Sequence, residues 1–252
     1  MNFVKINNIW LAGVLSAFVI GCGGSSSPVG GDQNQTDINV SHSQSDLVSK
    51  FLYFNNEDLA SMGKDVVKGA TLTKDFNGRD NMAYEFDGNS SAIEIPHNDK
   101  FNIQDSITLS AWVYASEKRS AVIIRKGAAV NGNERSPYEL AISATGDAIF
   151  SLNLPVNGDE DNRTWVQLRT RYTSGVWFHM AGTYDGASMK LYIDGNLENA
   201  QDITGRMNTN QSPLLIGTRL RLPSSTLKGK IADIHIYNKA LSSDEISNLI
   251  AE

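Results

Sequence analysis

Cysteine is almost absent from this chain: Cys22 is the only one in 252 residues. A single thiol cannot close an internal disulfide, and no zinc site built on cysteine pairs is possible. Histidine is also scarce. His42, His97, His179 and His235 lie far apart in the sequence and show no metal-ligand spacing. His179 and His235 fall inside strand-like runs, where a hydrogen-bonded structural histidine is the ordinary case. Basic residues are outnumbered, 22 against 28 acidic, for a formal charge of −6. That balance argues against a nucleic-acid partner, which requires a basic face. Alternation of strands with helices is missing too, which excludes a parallel α/β sheet. The longest apolar run, Ile9 to Ile20, is broken only by Ser16. It is shorter than the ~20 residues of a membrane span.

That run has a different reading. Lys5 gives it a positive flank, as in the apolar region of a secretory signal. It ends in Val19-Ile20-Gly21-Cys22, which resembles a bacterial lipobox. The resemblance implies that residues 1–21 are a signal peptide, that Cys22 is acylated, and that the mature protein is exported and lipid-anchored. Gly23, where an Asp would favour retention in the inner membrane, points by the same resemblance to the outer membrane. Residues 22–48 are rich in Gly, Ser, Asn, Gln and Asp. Such a segment buries too little apolar surface to offset its ordering entropy, and it reads as a flexible tether. Its root-mean-square reach is roughly 25–30 Å.

From residue 49 to 252 the pattern changes to short β-type runs between turn residues. Tyr138–Ile142, Ala148–Leu154 and Thr164–Arg169 are examples. In the second, Phe150, Leu152 and Leu154 alternate with Ile149, Ser151 and Asn153; in the third, Val166 and Leu168 are set to face a core. Asp185-Gly186 and Asp194-Gly195 sit between apolar runs, the signature of tight hairpins of type I′. Residues 157–162, with Asp159-Glu160-Asp161, read as an exposed acidic loop. Ser242 and Glu245 form a capping box, and Leu241 and Ile246 are spaced for a hydrophobic staple. One helix is predicted from Ser243 to Ile250, with Ile246, Leu249 and Ile250 packed inward. The fold class is all-β: two antiparallel sheets and a short C-terminal helix.

The wording of several runs is more specific. Trp177-Phe178-His179-Met180-Ala181-Gly182-Thr183-Tyr184-Asp185-Gly186 followed by Leu191-Tyr192-Ile193-Asp194-Gly195 resembles the laminin-G-like, concanavalin-like jelly-roll family. Ala83–Gly88 with Ile93–Pro96 resembles the family's early hairpin, and Ile107–Val113 its central tryptophan strand. Leu214–Gly217 and Gly229–Ser242 resemble its last strands. The resemblance covers about Leu52 to Leu249 and implies a jelly-roll sandwich. It also implies a Ca²⁺ ion held by Asn56, Asp58 and Asp233, with Glu57 able to replace Asp58 because the sequence after Asp58 departs from the family's pattern.

Catalytic patterns are weak. The E-x-D-x-x-E strand of laminarinase-like relatives does not occur, and Asp233-Ile234-His235 has its spacing with the wrong second group. Arg163, Arg169, Arg171, Tyr172 and His179 are present but not in the order of alginate-lyase-like jelly rolls. The expectation is therefore a non-enzyme. Trp165, Gln167 and Arg169 share one face of their strand, with Tyr138 and Arg125 on neighbouring runs. Together they are the candidate ligand site: an aromatic and cationic groove for a glycan, an acidic polysaccharide being the better match. The alternatives are a polysaccharide lyase or glycoside hydrolase on the same fold, or a module for protein–protein adhesion.

Overall fold

The computed structural model describes residues 47–51, 66–127, 136–156, 158–219 and 223–251. The expected signal peptide, Cys22, the expected tether except its last two residues, and Asn56, Glu57 and Asp58 lie outside the described residues. The strands are β1 (Leu47–Phe51), β2 (Val67–Lys68), β3 (Thr71–Thr73), β4 (Ala83–Asp87), β5 (Ala92–Ile95), β6 (Ile107–Ala115), β7 (Ala121–Lys126) and β8 (Tyr138–Ile142). They continue as β9 (Asp147–Val156), β10 (Asp159–Arg171), β11 (Trp177–Tyr184), β12 (Ser188–Ile193), β13 (Asn196–Asp202), β14 (Leu214–Ile216) and β15 (Lys228–Tyr237). A single α-helix, α1 (Ser243–Ala251), follows among the described residues.

Every pairing between the strands is antiparallel, and they form two sheets. One has the order β13-β12-β11-β6-β15-β4-β3, with β1 pairing the second half of β15; the other has seven strands in the order β10-β9-β8-β7-β14-β5-β2. This is the predicted jelly-roll sandwich. Alternation supplies its core: Leu109, Ala111 and Val113 of β6 and Met180 of β11 meet Leu140, Phe150, Leu152 and Leu168 of the other sheet. The motif glycine Gly182 has a structural reason. A Cβ there would lie 2.3 Å from the Phe150 ring, so only glycine lets that ring seat against β11.

The two Asp-Gly turns differ. Asp194 and Gly195 both have positive φ, 48° and 79°, as type I′ requires. Asp185 does not. Its carboxylate accepts from Ala187 N and Ser188 N, and only Gly186 is left-handed (φ 92°), so the loop between β11 and β12 is one residue longer. Two other expectations are corrected. Ala83–Gly88 and Ile93–Pro96 are not a hairpin, because β4 and β5 belong to different sheets. The connection crosses the sandwich edge through a turn in which Asp87 accepts from Asn89, Ser90 and Ser91, bonds that hold its carboxyl far below the usual carboxylate range against the opposing effect of burial. The acidic run 159–161 is not a loop: β10 already starts at Asp159, and an irregular register between Asp159 and Arg163 absorbs the extra residues.

The helix closes the sandwich as its capping box predicts. Ser242 N donates to Glu245 Oε2 (2.7 Å) and Glu245 N to Ser242 Oγ (3.2 Å). Leu241, Ile246 and Leu249 pack on Ala181, Tyr192 and Tyr237, on the outward side of the β11 sheet, while Ile250 is only half-buried. On that same side His179 is buried with Nε2 2.8 Å from Ser110 Oγ and Nδ1 unpartnered. Burial pulls its pKa from 6.5 down to about 4. The native state therefore holds His179 neutral where the unfolded chain protonates it. Its contribution is complete above pH 6.5 and is lost as pH falls toward 4, at about 1.4 kcal/mol per pH unit. Urea titrations across that window should show this loss in the wild type and a flatter profile in His179→Gln; parallel profiles would contradict it.

Candidate functional site

The outward face of the seven-stranded sheet carries a polar row that crosses six strands. In register it reads Gln167, Ser151, Glu139, Arg125, Leu215, Glu94. The neighbouring row, Arg169, Ile149, Ala141 and Val122, is largely apolar. Between them opens a pocket of about 270 Å³, lined by Glu139, Ala141, Ile149, Gln167, Arg169 and Arg219, among others.

Its centre is a carboxylate between two guanidinium groups. Glu139 is 5% exposed and Arg125 6%. Arg125 Nη1 donates to Glu139 Oε2, and its Nε donates to Gly127 O (3.1 Å). Arg219 Nη2 reaches the same carboxylate at 2.9 Å from the loop after β14, with its Nε buried and unpartnered. Burial lowers the Arg125 pKa, and the charge of Glu139 opposes that shift. Trp165 lies over Arg125, with the guanidinium carbon 5.4 Å from its ring centroid. Gln167 Nε2 donates to Ser151 Oγ (3.2 Å), and Arg169 Nη2 donates to Gln167 Oε1 (2.7 Å). Arg169 is exposed and sits at the pocket's edge, 3.9 Å from Asp147. Asp147 in turn is lowered in pKa, first by the Thr145 hydroxyl.

The structure thus brings together Trp165, Gln167, Arg169 and Arg125, the last as a buried support rather than an exposed contact. Tyr138 is elsewhere. It is fully buried in the core, its hydroxyl donates to Phe101 O at 2.9 Å, and desolvation raises its pKa well above the phenol value. On β8 the residue that faces the groove is its neighbour Glu139, because successive side chains point to opposite faces. Alternation with Leu140 and Ile142 could have revealed Glu139. Nothing periodic marks Arg219, which lies outside any strand.

Asp233 stands at a different point. It has a positive φ of 48° at an irregularity in β15, where the flanking partner changes from β4 to β1. His235 Nε2 is 3.4 Å from its Oδ1. Of the expected calcium ligands it is the one described, and no group of three or more His, Cys, Asp or Glu that could hold a metal gathers among the described residues.

Sheet order, the capping helix and an outward groove with a built polar centre define a jelly-roll of the lectin and glucanase kind. Residues 87–247 match the family described as the concanavalin A-like lectin/glucanases superfamily, and the chain belongs to it. No curated protein sequence matches the chain. Similar solved structures include the binding domain of Paraclostridial Mosquitocidal Protein 1 (16% identity, 74% of this chain and 46% of that one, TM-score 0.56). The binding domain of botulinum neurotoxin serotype G is similar at 17% identity (81% and 50%, TM-score 0.57). So is the serotype D ligand-binding domain solved with N-acetylneuraminic acid, at 20% identity (74% and 45%, TM-score 0.56). The chain spans about half the length of these domains, and the likeness is one of fold.

Glu139→Ala should leave Arg125 buried without its counter-charge. The expected loss is about 3–5 kcal/mol, read as a lower urea midpoint, whereas Arg169→Ala, at an exposed position, should change stability little. Equal small losses would show that the network is not closed.

Proposed function

We propose that this chain is a non-catalytic, exported binding module that takes an acidic glycan on the outward face of its seven-stranded sheet. The observation that carries this reading is the pocket beside Glu139. Arg125, Arg169 and Arg219 outnumber the carboxylates beside them, Glu139 in the pocket and Asp147 at its edge, giving local positive charge on a protein whose net charge is −6. Glu139 is the sole acid lining the pocket. Glycoside hydrolysis needs two carboxyl groups across the scissile bond. Trp165, supported from beneath by Arg125, offers a ring to the C–H face of a pyranose, and Arg169 offers a planar fork to a carboxylate or sulfate. The complex of the serotype D domain with N-acetylneuraminic acid, an acidic sugar, is in keeping with this choice at the level of fold.

Binding of alginate, polygalacturonate and polysialic acid to the full chain, followed by calorimetry, tests it. At least one should bind, more weakly as salt rises. Trp165→Ala and Arg169→Ala should each reduce affinity about tenfold or more. Failure of all three polymers, or unchanged affinity in Arg169→Ala, would overturn the reading. A collapse of stability in Trp165→Ala would assign that ring to the fold, leaving Arg169 to decide.

The anchor and the metal complete the proposal. Cys22 carries a lipid that holds the module at the outer membrane. Ca²⁺ is held by Asp233 with Asn56 and Asp58 or Glu57; in support, β1 ends at Phe51 opposite Ile234, beside Asp233. Cys22→Ser should abolish partition into detergent, and EDTA should lower the melting temperature of the wild type but not of Asp233→Ala. Detergent partition without Cys22, or chelator-blind melting, would remove the corresponding part.

A further inference from the structure

The other sheet also has an outward face, and α1 covers only part of it. Beyond the helix, one cross-strand row runs in register through five strands: Thr71 of β3, Glu85 of β4, Lys230 of β15, Tyr114 of β6 and Trp177 of β11. At about 4.8 Å between strands the row is roughly 19 Å long, the length of a short oligosaccharide. Its members are half-buried or exposed. Four of them, all but Trp177, line a cleft of about 510 Å³, within the size of small-ligand sites.

The aromatic end is built. Tyr114 and Trp177 lie with centroids 5.8 Å apart, and Phe76 meets Trp177 edge-on at 6.3 Å. Phe76 is carried out by a turn that Asp75 fixes, its Oδ1 accepting from Asn77 N and Arg79 N, and it stacks on Trp112 at 4.1 Å. It rises as a wall beside the row. In the middle, Lys230 places its ammonium 5.9 Å from the Tyr114 centroid. Glu85 is directly opposite Lys230, yet no ion pair joins them. Both charges face the cleft with hydrogen-bonding capacity to spare, and they cancel.

We infer that this row is a second glycan groove, on the opposite sheet from the first and suited to a neutral oligosaccharide. Ring faces carry partial negative charge and attract the C–H faces of sugars. A carboxylate and an ammonium set one strand apart accept from and donate to hydroxyl groups without selecting for an acidic sugar. The pocket beside Glu139, with its excess of arginine, has the contrary preference.

The full chain titrated with cellohexaose, mannohexaose and chitohexaose, read by tryptophan fluorescence and calorimetry, tests the groove. At least one neutral hexasaccharide should bind, with a change in indole emission. Tyr114→Ala and Trp177→Ala should weaken binding about tenfold or more, and Glu85→Gln with Lys230→Gln, both toward the surface, should weaken it without loss of fold. Trp165→Ala, on the other sheet, should leave it unchanged, so the result stands apart from that of the acidic-glycan site. No binding at millimolar sugar, equal affinity in the Glu85 and Lys230 variants, or dependence on Trp165 would each overturn the inference.

Discussion

The contact of Phe150 with β11 across the sandwich is the constraint on which the other features depend. The ring occupies the space that a side chain at Gly182 would take, and this sets how closely the two sheets approach. Once they are in contact, the register of each strand is fixed, because a slip of one residue would turn a whole apolar set outward. The facing sides then fill with Leu109, Val113, Met180, Leu140, Leu152 and Leu168. Both outward faces follow from that choice. Glu139 faces the groove because Leu140 faces the core, and Tyr114 faces the cleft because Val113 faces the core.

The parts of this arrangement that follow from local pattern were legible in the sequence. Alternation in residues 164–169 placed Val166 and Leu168 inward and Trp165, Gln167 and Arg169 outward, as found. The capping box fixed the helix start. Parts set by long-range packing were not legible. Tyr138 looked like a groove aromatic by composition, but its parity on β8 belongs to the core. The residues Ala83–Gly88 and Ile93–Pro96 looked like a hairpin, and only the sheet order separates them. Asp185-Gly186 and Asp194-Gly195 are alike in sequence and differ in conformation, because the Asp185 carboxylate caps its own loop whereas Asp194 N and Oδ1 both bond back to His179. Arg219 and Phe76 lie in connections, where no periodicity announces a side chain's direction.

The two outward faces differ in how they hold charge. Around Glu139 the charges are mutually bonded, Glu139 and Arg125 buried and Arg219 half-buried, and the surrounding positions Val122, Ala141, Ile149 and Leu215 are apolar. In the row from Thr71 to Trp177 the charges are nearer to solvent and unpaired, and the aromatic rings supply the fixed geometry. A preformed network presents one orientation of its guanidinium groups and loses little freedom when a ligand arrives. Unpaired surface charges adapt, at the cost of ordering their side chains on binding.

That difference bears on why a buried ion network exists on the first face. Paired charges taken out of water return little net stability, and apolar replacements of similar volume are often neutral or stabilising by about 1–4 kcal/mol. Here the apolar alternative is present in the next row of the same face, in Ala141 beside Glu139 and, across the irregularity in β7, Val122 beside Arg125. The sheet would close without Arg125, Glu139 and Arg219. What their placement adds is a fixed positive patch under Trp165 and beside Gln167, aimed outward from a rigid sheet. A patch of that kind has its effect on whatever approaches the sheet from solvent, so the network is better accounted for by recognition than by folding.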